Sequence, residues 1–134
     1  MRLPLLLATL LLLSACSNTD SDAARVFENA FSTQPPTGVA VLHGYRVERR
    51  RFFATEEMWR LHLAGPGADK FVRQRWPDLR LGMPRVFLQG IQTPWFAPGK
   101  DLKQYKTYMS QSNPAVTVMA SETTDEVFIA YDGL

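Results

Sequence analysis

Val116-Thr117-Val118-Met119-Ala120, Glu122-Thr123-Thr124-Asp125, Val127-Phe128-Ile129-Ala130-Tyr131: these three successive pieces near the end of the chain decide its fold. The outer two are rich in β-branched and aromatic residues. The middle one is short and polar. Matched arms around a polar loop predict an antiparallel hairpin. Working back from it, Val39, Val41, Tyr45 and Val47 alternate with Ala40, Leu42, Gly44 and Arg46, which predicts a strand. His43 shares the first face in that reading, and the strand runs toward Phe52-Phe53. Ala54-Thr55-Glu56-Glu57 reads as a polar turn before a partner strand from Met58 to Leu63. There Trp59, Leu61 and Leu63 share one face, and Arg60 and His62 take the other. A short strand is also predicted at Val86-Phe87-Leu88, after a turn over Leu81-Gly82-Met83-Pro84.

Helical spacing appears in three places. Ala23, Val26, Phe27, Ala30 and Phe31 follow Asp22, a good N-cap, and the segment ends before Pro35-Pro36. Ala68, Phe71, Val72 and Trp76 follow the Gly65-Pro66-Gly67 turn, with Asp69 early and Arg73 and Arg75 late, an order that suits the helix dipole. Leu102, Tyr105, Tyr108 and Met109 suggest a third helix, stopped by Asn113-Pro114. The sum is an α+β fold: a small antiparallel sheet of about five strands with about three short helices on one face. A small β-barrel with helical inserts is the alternative.

The N-terminus has its own logic. Arg2 precedes an apolar run from Leu3 to Leu13, then the small pair Ser14-Ala15, then Cys16, the only cysteine in the chain. The order is that of a secretory signal peptide. The run is well short of the roughly 20 residues needed to span a bilayer. Leu13-Ser14-Ala15-Cys16 resembles the lipobox of bacterial lipoproteins, over the first 16 residues only. The resemblance implies cleavage between Ala15 and Cys16, diacylglycerol on the Cys16 sulfur and acylation of the new N-terminus. Ser17, rather than an acidic residue, is similar to the outer-membrane sorting pattern. An ordinary signal peptide, with Cys16 near the cut by chance, is the alternative. The expected organisation is a signal peptide at 1–15, a lipidated cysteine and flexible tether at 16–22, and one globular domain at 23–134.

Composition supports that organisation. The chain has 134 residues, 46% of them hydrophobic and 11% aromatic, which excludes disorder. Removing 15 residues leaves about enough chain for one core, with no disulfide to help it. Arg46 to Arg85 contains ten basic and five acidic residues, whereas Ala115 to Leu134 contains four acids and no base. The basic stretch could face acidic glycans or lipid headgroups. It could equally be a solvated face, paired internally with the acidic end.

Little in the sequence suggests catalysis. His43 and His62 would approach each other if their strands pair, but no further metal-ligand spacing accompanies them, and a structural role is the ordinary one. No G-x-S-x-G, phosphate loop or dinucleotide fingerprint occurs. Glu56, Glu57, Glu122, Asp125 and Glu126 fall in predicted turns, where acids are usually solvated. No cofactor is expected, and an exported, anchored protein has little access to nucleic acid.

Two segments suit recognition instead. Arg49, Arg50 and Arg51 form the densest charge run and suit a carboxylate or phosphate partner, or else protect an edge strand. Trp95 and Phe96, framed by Pro94 and Pro98, could stack on a sugar or anchor a protein, or else fold back onto the core. The expectation is a non-enzymatic interaction or accessory module of the cell envelope, anchored to the outer membrane and facing the periplasm. Its partner would be an envelope protein or an acidic glycan. The alternative is an envelope enzyme or enzyme inhibitor acting on peptidoglycan or another glycan.

Overall fold

The computed structural model describes residues 18–82, 93–96 and 104–133. Its centre is the expected C-terminal hairpin, β6 (Val116–Ser121) and β7 (Glu126–Gly133), with Val118 opposite Ile129. A second hairpin, β2 (Ala40–Arg51) and β3 (Ala54–Ala64), packs alongside through β3. β5 (Tyr105–Ser110) and the short strands β1 (Asn18–Asp20) and β4 (Leu79–Leu81) complete one antiparallel sheet in the order β1-β2-β3-β7-β6-β5-β4.

The expectation of about five strands and about three helices is therefore corrected. Among the described residues there are seven strands and two helices, and the sheet stays open, so the barrel alternative fails as well. β1 and β4 have three residues each and owe their form to the edges they join, not to their own propensity. β1 lies in the segment expected to be a flexible tether. The predicted third helix is β5 in its described part. Tyr105, Tyr108 and Met109 have helical spacing by coincidence. Tyr105 packs edge-on against Phe128 on one face, at 5.4 Å, while Tyr108 joins the core on the other. Only a strand sends residues three apart to opposite faces. The strand expected at Val86–Leu88 lies outside the described residues.

α1 (Ala23–Phe31) and α2 (Ala68–Arg75) cover one face. The Asp22 side chain caps α1 by accepting the Arg25 N–H, and Ser32 ends it in a left-handed conformation. Val26 and Phe27 of α1, Val72 of α2 and Trp76 just after it meet Trp59, Leu61, Leu63, Val116, Val118, Val127 and Ile129 of the sheet. Gly44 sets how closely α1 lies on the sheet. A Cβ there would come 2.9 Å from Val26 Cβ and 3.0 Å from Ala23 Cα. Gly65, at φ +111°, lets the β3–α2 turn reach the Gly38 carbonyl, whose oxygen would lie 2.4 Å from a Cβ.

Candidate functional site

Two groups of residues outside that core could do something. One is the far end of the β2–β3 hairpin. Ala54–Glu57, expected to be a turn, is strand, and the turn is Phe52-Phe53. The correction has an electrostatic cause. Extending the hairpin sets an arginine-rich arm against a glutamate-rich arm. Arg49 lies opposite Glu56, and Arg46 Nε donates to Glu57 Oε1 at 2.9 Å while Nη2 contacts Glu48 at 3.3 Å. The hydrogen bonds that Arg46 donates to both glutamates raise its pKa above the ordinary value, Glu57 contributing most.

Among the described residues, β1 pairs with β2 as far as Glu48, and β7 pairs with β3 as far as Glu57. The pairs Arg49–Glu56, Arg50–Thr55 and Arg51–Ala54 extend past these described neighbours by about 10 Å at 3.3–3.4 Å per residue. At the tip Phe52 and Phe53 are fully exposed, at 100% and 101%. Arg49 is exposed, and Arg50 reaches Glu48 only at 3.9 Å with its side chain 81% exposed.

The second group lies on the sheet face away from the helices. Leu42 is an extra residue in a β-bulge between Val41 and His43. The bulge corrects the expected facing: Val41 packs on the helix side, and His43 turns to the other side opposite His62. His43 Nδ1 lies 3.1 Å from His62 Nδ1, and His62 Nε2 lies 2.9 Å from Glu126 Oε1. With His62 donating to the carboxylate, its Nδ1 in the neutral ring accepts from His43 Nδ1–H. The His43 Nε2 lone pair then becomes the outer end of a Glu126–His62–His43 array. Thr124 Oγ1 donates to the second Glu126 oxygen at 2.9 Å. Phe128 stacks on His62 at 4.1 Å, and Trp95 stacks on His43 at 5.1 Å and 12°.

Trp95 and Phe96 thus fold back onto this face. Phe96 is 2% exposed, packs edge-on to Phe128 at 5.8 Å, and covers the Arg60 guanidinium at 5.4 Å. Arg60 is itself fully buried, 2.9 Å from Asp132 Oδ1, and Nη1 donates to the Trp59 and Tyr131 carbonyls.

Of the sequence-derived candidates, Arg49 and Arg50 stand on an exposed projection, whereas Trp95 and Phe96 belong to a packed face. The hairpin and the loop do not form one site. Ala15 and Cys16 lie outside the described residues. Sequence reading missed the Phe52-Phe53 tip, although a basic block separated by four residues from an acidic pair lets opposite charges meet across a hairpin. It also missed Glu126 as the partner of His62, because an acid beside a turn carries no sign of a contact 64 residues away.

Chemically, the array could hold or pass a proton. A cavity at Glu126, lined also by Gly65, Pro66, Asp69 and Ser121 but by neither histidine, has a volume of about 80 Å³. Ligand sites run to roughly 300–1,000 Å³. Among the described residues no group of three or more His, Cys, Asp or Glu could hold a metal ion. No described helix is long and apolar enough to cross a membrane. No protein-family model matches the chain, and neither a curated protein nor a solved structure matches it.

Proposed function

We propose that this chain is a lipid-anchored protein of the bacterial envelope that works by binding rather than by catalysis, with the β2–β3 hairpin tip as its contact element. The observation that carries the reading is the projection itself. Three residue pairs extend past the described parts of both neighbouring strands and end in two wholly exposed phenylalanines, with Arg49 and Arg50 exposed beside them. Large apolar side chains gathered at a protruding tip add nothing to the core and are suited to contact. The sequence supplies the anchor: the lipobox-like Leu13-Ser14-Ala15-Cys16, with Ser17 favouring the outer membrane.

Two experiments test the two halves of the proposal. Metabolic labelling with a fatty acid should mark the wild-type chain and not Cys16→Ser, and equal labelling of both would refute the anchor. A photo-crosslinking amino acid at Phe52 in living cells should give an adduct. A tip that forms none, while staying open to a water-soluble thiol reagent in Phe53→Cys, would refute the contact role.

A second reading, an envelope enzyme acting on a glycan, is favoured by the Glu126–His62–His43 array with Trp95 beside it. It predicts that His43→Gln abolishes turnover of a cell-wall fragment while leaving the fold intact.

A further inference from the structure

The hairpin tip and the proposed anchor belong to the same pole of the molecule. β1 runs antiparallel to β2, with Asn18 opposite Glu48 and Asp20 opposite Arg46. The chain therefore enters the sheet from the side toward which β2 runs, the side of Phe52 and Phe53. Only Ser17 separates Cys16 from Asn18, and two residue steps span at most about 7 Å. In the proposed lipidated chain, an acyl chain on the Cys16 nitrogen would join the backbone directly and hold that nitrogen at the depth where acyl chains begin. Asn18, and Glu48 beside it, then lie within about 7 Å of that depth. The hairpin continues past Glu48 for about 10 Å. It outreaches the tether.

We infer that the anchored protein sets its β2–β3 tip into the same leaflet, with Phe52 and Phe53 at the headgroup–acyl boundary and Arg49 and Arg50 on the phosphates of anionic phospholipid. This deepens the contact role proposed above and rests on it. Interfacial elements bury apolar groups about 5–10 Å into that boundary, a depth the projection can reach. Phenylalanines at the apex with arginines immediately behind them match the order of a bilayer surface met from water, apolar groups deepest and cations at phosphate depth. The projecting segment from Arg49 to Glu56 has three arginines against one glutamate, so its charge is complementary to an anionic surface. Guanidinium can hold phosphate through two parallel hydrogen bonds. Seated this way, the protein stands on two points, the lipid and the hairpin, which fixes its orientation where a single flexible tether would not.

The test uses the full chain, processed and lipidated in cells, purified and reconstituted into vesicles. With the Cys16 sulfur occupied, Phe53→Cys supplies a unique thiol for an environment-sensitive fluorophore. Thr123→Cys, on the β6–β7 loop at the opposite pole, is the reference. In phosphatidylglycerol–phosphatidylethanolamine vesicles the label at 53 should be shielded from aqueous iodide and quenched by doxyl-labelled lipid, and the label at 123 should not. Replacing Arg49 and Arg50 by Gln should lower the ratio of inserted to free tip by roughly fivefold per arginine, and so should phosphatidylcholine vesicles in sum. A tip at 53 as open to iodide as position 123, in protein whose mass shows the lipid on Cys16, overturns the inference and leaves the anchor standing. Shielding found only in cells, with a protein adduct at Phe52, assigns the tip to a protein partner and overturns it too. If the mass shows no lipid on Cys16, the anchor fails, and flotation of the chain with anionic vesicles decides the tip separately: co-flotation lost in Phe52→Ser/Phe53→Ser supports insertion, and no flotation overturns it.

Discussion

Burial of the Arg60–Asp132 pair yields a prediction with an unusual sign. Arg60 is fully buried, and Asp132 is 14% exposed. Nη1 directs its N–H groups to two carbonyls, so its 2.9 Å approach to the carboxylate is an ion pair without a well-aimed hydrogen bond. Among the described residues, Arg60 Nε and Nη2 have no hydrogen-bond partner, nor does either Asp132 oxygen. Desolvation therefore dominates on both sides. It lowers the Arg60 pKa and raises that of Asp132, against the attraction between them. Breaking a well-made buried pair costs about 3–5 kcal/mol, but a raised carboxyl pKa means that the neutral form is already favoured by folding. Asp132→Asn, which mimics that neutral form, should cost less, under about 2 kcal/mol at neutral pH.

Removing both charges, as Arg60→Met/Asp132→Asn, should leave stability unchanged or raise it by about 1–4 kcal/mol. Urea unfolding followed by tryptophan fluorescence measures both variants. The pH dependence follows from the same direction. Because the native pKa of Asp132 lies above its unfolded value near 3.8, the contribution of the protonated carboxyl is complete below that value. It is lost as pH rises through the native pKa, and the difference profile between wild type and Asp132→Asn should show it. A loss of about 3–5 kcal/mol in Asp132→Asn, or a double variant clearly weaker than wild type, would mean that attraction outweighs desolvation here and would refute the reasoning.

Four further outcomes are expected. Gly44→Ala should destabilise by about 1–3 kcal/mol in urea unfolding, because the new Cβ meets the Ala23 backbone, which has no rotamer to yield. Phe96→Ala should cost about 3–5 kcal/mol, and Trp95→Ala, whose ring is only half-buried, should cost less. Asp78 accepts from the Ser112 side chain and backbone N–H and from Ser110 Oγ, which lowers its pKa, so its stabilisation should hold above about pH 3.8 and vanish as pH falls through the native value, with no such step in acid titration of Asp78→Asn. Phe52→Asn/Phe53→Gly, a turn suited to a two-residue hairpin, should raise the melting temperature while abolishing the tip contact.

What the sequence made legible follows the strength of local signals. The Val116–Tyr131 hairpin was readable because alternation, β-branched arms and a polar loop agree within 16 residues. α1 and α2 were readable from Asp22 and from the Asp69-to-Arg75 charge order. β5 was not, because Tyr105, Tyr108 and Met109 have helical spacing, which pairing with β6 overrides. β1 and β4 were not, because strands of three residues exist only where a neighbour offers an open edge. In the candidate sites, the meeting of His43 and His62 followed from pairing two strands. The turn between those strands was placed two to four residues too late because Phe52-Phe53 carries strand propensity and no turn chemistry.

That last failure is itself informative. Two-residue hairpin loops favour Asn-Gly or a similar pair, whose residues accept the backbone angles that match strand twist. Phenylalanine accepts them poorly, and neither Phe52 nor Phe53 has positive φ. At full exposure the two rings return nothing to the fold. Nor do they protect the free hairpin edges from other strands, a task that the charged Arg49, Arg50 and Glu56 perform. Locally consistent sequences break their own rules chiefly at functional sites. The residues least suited to making this turn are the ones that a contact beyond the protein would require.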